Sequence, residues 1–166
     1  KNEEKAIEGE WDWVSTNLSI YNTLVISDDN GSNIISIENP SHYLCKRSFE
    51  KFIRIGLKRE DGSFIFIGED NSGCIVCDKE GRDLVGMYFE KIKEGYSDKI
   101  FYAYKNDKMV IIYTDDFTLS DWYDKIDTKF ISDYSPTTKV YKDNKENLLN
   151  CITKKIFPNW FDKIID

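Results

Sequence analysis

The sequence has a single histidine, four cysteines and none of the short motifs that mark common enzyme classes. His42 is the only imidazole, which removes most histidine-based acid–base, triad and metal mechanisms at once. A phosphate-binding loop, a glycine-rich dinucleotide turn and a Gly-x-Ser-x-Gly elbow are all missing from the sequence. His42 follows a proline turn in NPSHYLC, so we interpret it as a loop or packing residue. The sequence therefore predicts a protein that is not an enzyme and holds no cofactor.

The four cysteines do not have the spacing of a metal site. A structural zinc centre usually uses two close pairs, and only Cys74 and Cys77 are close together. They occur in an apolar, strand-like run, where residues three apart point to opposite faces. Both are therefore predicted to be buried small side chains. If the protein is exported, a disulfide from Cys151 to a strand cysteine is a further hypothesis, for which the sequence indicates no partner.

Paired carboxylates occur at predicted turns, namely at Asp28-Asp29, Glu69-Asp70 and Asp115-Asp116. Such pairs can serve glycosidases or calcium sites. Aspartate in a turn, however, commonly bonds to its own backbone. The alternating oxygen ligands of a calcium loop are also missing. We predict no metal site.

Long apolar runs and segregated basic patches are missing as well. No run approaches the roughly 20 residues needed to span a bilayer, so we expect no transmembrane segment. The net charge is −7, which on balance repels a phosphate backbone. The densest basic spots, Lys46-Arg47 and Lys58-Arg59, lie beside acidic residues. We therefore expect no nucleic-acid partner, whereas an acidic exterior suits a basic protein partner.

Strand-like runs and turn signals alternate through residues 9–114. Asn30-Gly31 is a strong hairpin signal, and KFIRIGLK (51–58) has the alternation of a half-buried antiparallel strand. Connections of two to five residues exclude a parallel βαβ arrangement and favour an up-and-down sheet. Sheets with many strands tend to curl or close. We predict one domain over 1–166 that is mainly β, an antiparallel up-and-down barrel or strongly coiled sheet of about 8–10 strands.

The two ends of the chain differ from this β body. KNEEKAIE (1–8) is polar, as in a short tether that leads from a lipid-modified end. After residue 114, TLSDWYDKI predicts a short helical turn capped by Ser120, and TTKVYK predicts a late strand. DNKENLLNCITKKIF predicts a C-terminal amphipathic helix that ends at Pro158, since apolar residues recur at helical spacing at Leu148, Leu149, Ile152 and Ile156.

Two stretches resemble known families. Gly9-Glu10-Trp11, followed by hairpin-linked strands and a helix near the C-terminus, resembles the lipocalin or calycin family. In that family this tryptophan lies under the closed end of an antiparallel barrel, so the resemblance implies such a barrel here. There is also a weak internal echo between LVISDDNGSNIIS and CIVCDKEGRDLVG. Within the latter, IVCDKEGRDLV is similar to the strand, turn and strand core of bacterial WG-type β repeats.

Two functions follow as hypotheses. The first is a non-enzymatic binding module of the bacterial cell envelope, periplasmic, secreted or lipid-anchored, that holds a small apolar ligand in the barrel interior. Its predicted ligand-binding residues are large rings: Trp11, Trp13, Phe64, Phe66, Tyr102 and Tyr104. Trp11 and Trp13 alternate along one strand, so filling an ordinary core is an alternative role for both.

The second hypothesis is an acidic protein-interaction or immunity-type inhibitor protein, which would be cytoplasmic and bind a basic partner. The dependence of binding affinity on salt concentration distinguishes the two hypotheses. Affinity for a basic protein should fall steeply with ionic strength, while burial of an apolar ligand should hardly respond.

Overall fold

A computed structural model describes residues 13–15, 23–37, 39, 42–58, 62–95, 99–128 and 136–164. All regular secondary structure in these residues is β. The strands are β1 (Trp13–Ser15), β2 (Thr23–Asp28), β3 (Gly31–Ser36), β4 (Lys51–Lys58), β5 (Phe64–Asp70), β6 (Gly73–Asp78), β7 (Lys91–Glu94), β8 (Ile100–Lys105), β9 (Lys108–Tyr113), β10 (Lys125–Ile126), β11 (Thr137–Lys142), β12 (Lys145–Asn150) and β13 (Lys155–Ile156).

The strands form four separate antiparallel sheets within the described residues. Three sheets have three strands, in the orders β1-β2-β3, β4-β5-β6 and β7-β8-β9, and the fourth has the order β10-β11-β12-β13. The chain divides into two compact units, Lys1–Tyr88 (unit 1) and Phe89–Asp166 (unit 2). Unit 1 contains the first two sheets and unit 2 contains the other two. In the described part of the chain, no helix is long and apolar enough to cross a bilayer.

The mainly β, antiparallel fold is confirmed, but the predicted barrel is wrong. The strands do not continue into one sheet, because after each third strand the chain runs back along that strand as a mostly irregular segment, which in the last sheet includes only the short strand β13. These return segments are residues 42–50, 79–90, 114–124 and 151–162. In each return segment, one backbone N–H donates a hydrogen bond to the carbonyl of the fourth residue of the third strand. The pairs are Leu44 to Ile34 (2.7 Å), Leu84 to Val76 (2.9 Å), Ser120 to Ile111 (2.9 Å) and Phe157 to Leu148 (3.1 Å). The return segment thereby takes the place of a full strand that would extend the sheet toward closure.

The predicted C-terminal helix is also wrong, because Lys145–Asn150 is strand β12 and Lys155–Ile156 is strand β13. Asp143 and Asn144 both have positive φ, 53° and 62°, which makes the tight turn of a hairpin with β11. Asn147 and Leu149 are buried while Ile152 is 58% exposed, so burial follows the period of a strand and not of a helix.

The region 115–128 likewise contains no helix. Tyr123 forms an antiparallel bridge with Met109, and β10 begins two residues later. Ser120, predicted as a helix cap, instead accepts a hydrogen bond from the Ile111 N–H at 3.0 Å. The late strand in TTKVYK is confirmed as β11. The hairpin at Asn30-Gly31 is also confirmed, and it joins β2 to β3.

Each unit has its own apolar core. In unit 1 the core contains Val25, Ile34, Cys45, Phe49, Phe52, Phe66, Ile75 and Cys77. In unit 2 it contains Ile100, Tyr102, Met109, Ile111, Tyr113, Tyr123, Ile126, Val140, Leu149 and Cys151. The fold therefore consists of hairpins whose inner faces are filled by their own side chains.

Candidate interaction surface

The last two residues of each return segment begin the same four-residue motif: an aromatic residue, an acid, a lysine and a large apolar residue. The four copies are Phe49-Glu50-Lys51-Phe52, Phe89-Glu90-Lys91-Ile92, Tyr123-Asp124-Lys125-Ile126 and Phe161-Asp162-Lys163-Ile164. Their aromatic residues are separated by 40, 34 and 38 positions. The sequence echo described above missed this spacing, because it aligned hairpin β2–β3 with β6 and its return segment. The recurring aromatic-acid-lysine triplet was the available signal.

The backbone holds three of the four motif aromatics in one equivalent place. Phe49 exchanges two hydrogen bonds with Ser32, at 3.0 and 2.5 Å. Tyr123 exchanges two with Met109 (2.9 and 2.8 Å), and Phe161 exchanges two with Glu146 (2.9 and 2.7 Å). Every partner is the second residue of a third strand, β3, β9 or β12. The described part of the chain therefore contains four repeats of a hairpin followed by a return segment.

The lysine of the motif begins the first strand of the following sheet in three repeats: β4 at Lys51, β7 at Lys91 and β10 at Lys125. These strands pair with β5, β8 and β11. In the fourth copy, Lys163 and Ile164 are not in a strand. Instead the Ile164 N–H donates to Glu146 Oε2 at 2.8 Å, and the Ile164 carbonyl accepts from Lys139 Nζ at 3.2 Å.

Exposure of the motif aromatic distinguishes the fourth copy from the others. Phe49, Phe89 and Tyr123 are only 1–2% exposed, whereas Phe161 is 42% exposed. The ring of Phe49 lies against Gly68 of β5, where an added Cβ would be 2.3 Å from the ring. Two further large apolar side chains of the same return segment, Ile152 and Phe157, are 58% and 52% exposed. We call Ile152, Phe157 and Phe161 the exposed triad.

The rings predicted to bind a ligand belong to different parts of the structure. Phe66 (1% exposed) and Phe64 stack at 6.4 Å in unit 1. Tyr102 (1% exposed) is in the core of unit 2, and Tyr104 packs against that core. Trp11 lies outside the described residues. For Trp13 only the main chain is described, which pairs with Ser27 in β1.

Arg47 forms an ion pair that has a structural role in unit 1. The Arg47 guanidinium donates to Asp70 Oδ2 (2.6 Å) and to the Tyr88 hydroxyl (2.7 Å), and it lies 4.9 Å over the ring of Phe49. Burial alone would lower the pKa of Arg47, but the hydrogen bonds to Tyr88 and Asp70 outweigh burial and raise it. The guanidinium therefore fixes the first motif aromatic.

A second ionic network lies in unit 2. Lys154 Nζ contacts Asp115 Oδ1 at 3.0 Å and Asp116 Oδ2 at 2.7 Å, and it lies 4.6 Å over the ring of Tyr113. Its hydrogen bond, with a second from Thr118, lowers the pKa of Asp116. Asp116 also accepts a hydrogen bond from the Thr118 N–H at 3.0 Å. Asp115 and Asp116 therefore stabilise a turn and form an ion pair with Lys154.

His42 lies in a loop, and the close cysteine pair lies in strand β6. His42 is exposed and lies 3.3 Å from the Asn39 side-chain oxygen, in a loop. Cys74 and Cys77 are buried, as predicted, and their register partners Glu69 and Phe66 place them on opposite faces of β6. Within the described residues, no group of three or more His, Cys, Asp or Glu side chains could hold a metal ion.

Comparison with known proteins gives no family for this chain: no family model matches it and no curated protein matches it. The resemblances to lipocalins and to WG-type repeats therefore stay predictions, as does a location in the cell envelope. Function has to be inferred from the geometry described above.

Proposed function

We propose that the protein is a non-enzymatic protein-interaction module that binds through the exposed triad. The observation that carries this proposal is the 42% exposure of Phe161, at a position where the three equivalent rings are buried. Large rings are enriched where proteins bind each other, because burying them removes much apolar area from water. Of the five large apolar side chains that are exposed in the described residues, three lie on this one return segment.

The buried copies suggest the kind of partner. Phe49 packs against Gly68 of β5, and Tyr123 belongs to the cluster that contains Val140 of β11. In both cases a neighbouring sheet of the same chain covers the ring. The partner for Phe161 is therefore a β sheet with a small or flat apolar face.

A second copy of this chain fits that description. Exposed charges of both signs, Lys155, Asp162 and Lys163, flank the exposed triad. In a two-fold pairing, each residue meets the equivalent surface, so opposite charges at the rim can pair across the axis. The triad is small for an interface, so we expect weak pairing, with a dissociation constant on the order of 0.1 mM.

Sedimentation velocity over a wide concentration range tests this proposal. We expect the wild-type chain to shift from monomer to dimer near about 0.1 mM, and Phe157→Ser to remove the shift. Phe157 is preferred over Phe161 because more of its side chain is exposed, so the variant should fold normally. The control is Tyr43→Ser, since Tyr43 is equally exposed (52%) but lies in unit 1. A monomer at every concentration, or equal loss in both variants, would contradict the proposal.

The acidic charge supports a second candidate, a basic protein partner for unit 1. Residues 1–88 contain 16 Asp and Glu against 10 Lys and Arg, while residues 89–166 contain 14 against 13. The acidic surplus of the chain is thus nearly all in unit 1. Such a surface speeds association with a basic protein through long-range attraction.

Stopped-flow association with lysozyme, a small basic protein, tests this candidate. We expect the rate to fall several-fold between about 20 and 200 mM salt. Asp29→Asn in unit 1 should slow association more than its control Asp121→Asn in unit 2, because both carboxylates are exposed but only Asp29 is in the acidic unit. Equal effects of the two substitutions would contradict a role for unit 1.

Binding of an apolar ligand stays a prediction. Among the four predicted rings whose side chains are described, Phe64 and Tyr104 keep partial exposure, so a ligand would have to reach these two before Phe66 and Tyr102. Titrating the tryptophan fluorescence with a fatty acid tests this, and the absence of a saturable change would contradict it.

A further inference from the structure

Cys45 and Cys77 bring two thiols together in the core of unit 1. Both residues are fully buried and belong to the same apolar cluster. The Cys45 thiol also lies 3.8 Å from the Asp78 carbonyl, and the Lys46 N–H donates to the Lys79 carbonyl at 2.8 Å. The first return segment is therefore fixed beside the end of β6.

We propose that Cys45 and Cys77 are a covalent modification site, which low-molecular-weight disulfides oxidise to a disulfide that joins the first return segment to β6. A disulfide needs its two cysteines on adjacent backbone segments with side chains directed at each other. The contacts of Cys45 and Lys46 with residues 78 and 79 meet the first condition, and the packing of both cysteines in one buried cluster supports the second.

The surroundings give the two sulfurs different roles. The hydrogen bond from Cys77 lowers the pKa of Cys45, and a backbone hydrogen bond from Arg47 adds to this. The same contact with Cys45, together with burial, raises the pKa of Cys77. Cys45 is the attacking sulfur, because it lies on the return segment that has to open and the thiolate is the nucleophile in thiol–disulfide exchange.

The reaction is a two-electron exchange. The Cys45 thiolate attacks one sulfur of glutathione disulfide, which forms a mixed disulfide and releases one glutathione thiolate. Cys77 gives its proton to that thiolate, and its sulfur then attacks Cys45 Sγ and releases the second glutathione. The protein loses two thiol hydrogens and the small disulfide gains them as two thiols. Because both sulfurs are buried, the return segment has to open before the first step.

The other two cysteines are placed differently. Cys74 is on the opposite face of β6 from Cys77. Cys151 is in the core of unit 2, where burial raises its pKa to about 12, so little thiolate is available at neutral pH. Oxidation should therefore be selective.

The test is peptide mapping of the full chain after long incubation with mixtures of oxidised and reduced glutathione. We expect a Cys45–Cys77 link, with the other two thiols still open to alkylation. Cys77→Ala should abolish the link, and Cys74→Ala, the matched control on the same strand, should keep it. Closing this loop should lower the unfolding equilibrium constant by roughly 100-fold or more, seen as a higher melting temperature without reductant.

Three results would overturn the proposal: a link that involves Cys74 or Cys151, a stable glutathione adduct on Cys45 that never resolves, or full retention of all four thiols. The mapping of the wild-type chain decides among these results directly. It does not depend on whether the substituted chains fold.

Discussion

Replacing Gly68 with alanine tests how tightly the first motif aromatic is held. A Cβ at Gly68 would lie 2.3 to 2.5 Å from three carbons of the Phe49 ring, far inside normal contact distance. The ring has little room to move, because Phe52 packs on it edge to face at 5.1 Å and Arg47 lies 4.9 Å over it. Overpacking a core in this way costs about 1–3 kcal/mol. We expect Gly68→Ala to lower the free energy of unfolding by about 2 kcal/mol.

Equilibrium unfolding in urea, followed by circular dichroism, measures this value. Phe49→Leu provides the matched background, because the smaller side chain leaves space for the new methyl group. In a double-mutant cycle, the two substitutions together should cost at least about 1 kcal/mol less than the sum of the single effects. A Gly68→Ala chain within about 0.5 kcal/mol of wild type, or strictly additive effects, would refute the packing described for Phe49.

Three further predictions concern unit 2. Tyr113→Phe should leave the free energy of unfolding unchanged or raise it by up to about 1 kcal/mol in urea titrations, since the buried Tyr113 hydroxyl has no hydrogen-bond partner in the described structure. Tyr141→Phe, its control, breaks a 2.9 Å bond to Asp127 and should cost about 1 kcal/mol; equal effects of the pair would contradict this. Asn144→Val should lower stability by about 1–2 kcal/mol, because Asn144 has φ 62°, while Asn144→Gly should not; a loss in both would contradict the turn. Because the pKa of Asp116 is lowered, its contribution to stability is present above its ordinary pKa of 3.8 and is lost as pH falls further. Lys154→Met should therefore flatten the fall in melting temperature below about pH 4. An unchanged slope would argue against the ion pair.

The strands and turns were predictable because their signals are local. Asn30-Gly31 and Asn106-Asp107 are residues that accept positive φ, and each lies at a hairpin turn in the structure. The helix over 143–157 was predicted wrongly for a related reason. Leu148, Leu149, Ile152 and Ile156 have helical spacing, but the adjacent left-handed residues Asp143 and Asn144 reverse the chain and pair β12 with β11. A turn that fits one hairpin outweighs a weak apolar periodicity.

The barrel was not predictable from strand count. Alternation and short connections establish antiparallel neighbours, but they do not determine what lies beside each third strand. Segment 42–50 is irregular, and its apolar residues, such as Cys45 and Phe49, do not alternate with polar ones as they would in a strand. Its pairing depends on a few backbone bonds, for example from Leu44 to Ile34, which only the folded chain displays. The candidate surface was missed for the same reason, since Phe161 stands out only by comparison with Phe49 and Tyr123.

The contacts around Ile164 indicate how a partner would meet the fourth repeat. In the first three repeats, the residues after the motif aromatic join a strand, so backbone pairing and ring packing occur together. At Ile164 the side chains of Glu146 and Lys139 already satisfy the N–H and the carbonyl. Adding a strand at this residue would require those bonds to break, which opposes edge-to-edge association. Binding at the exposed triad should therefore proceed by covering rings and not by extending the sheet, which fits a weak and reversible contact.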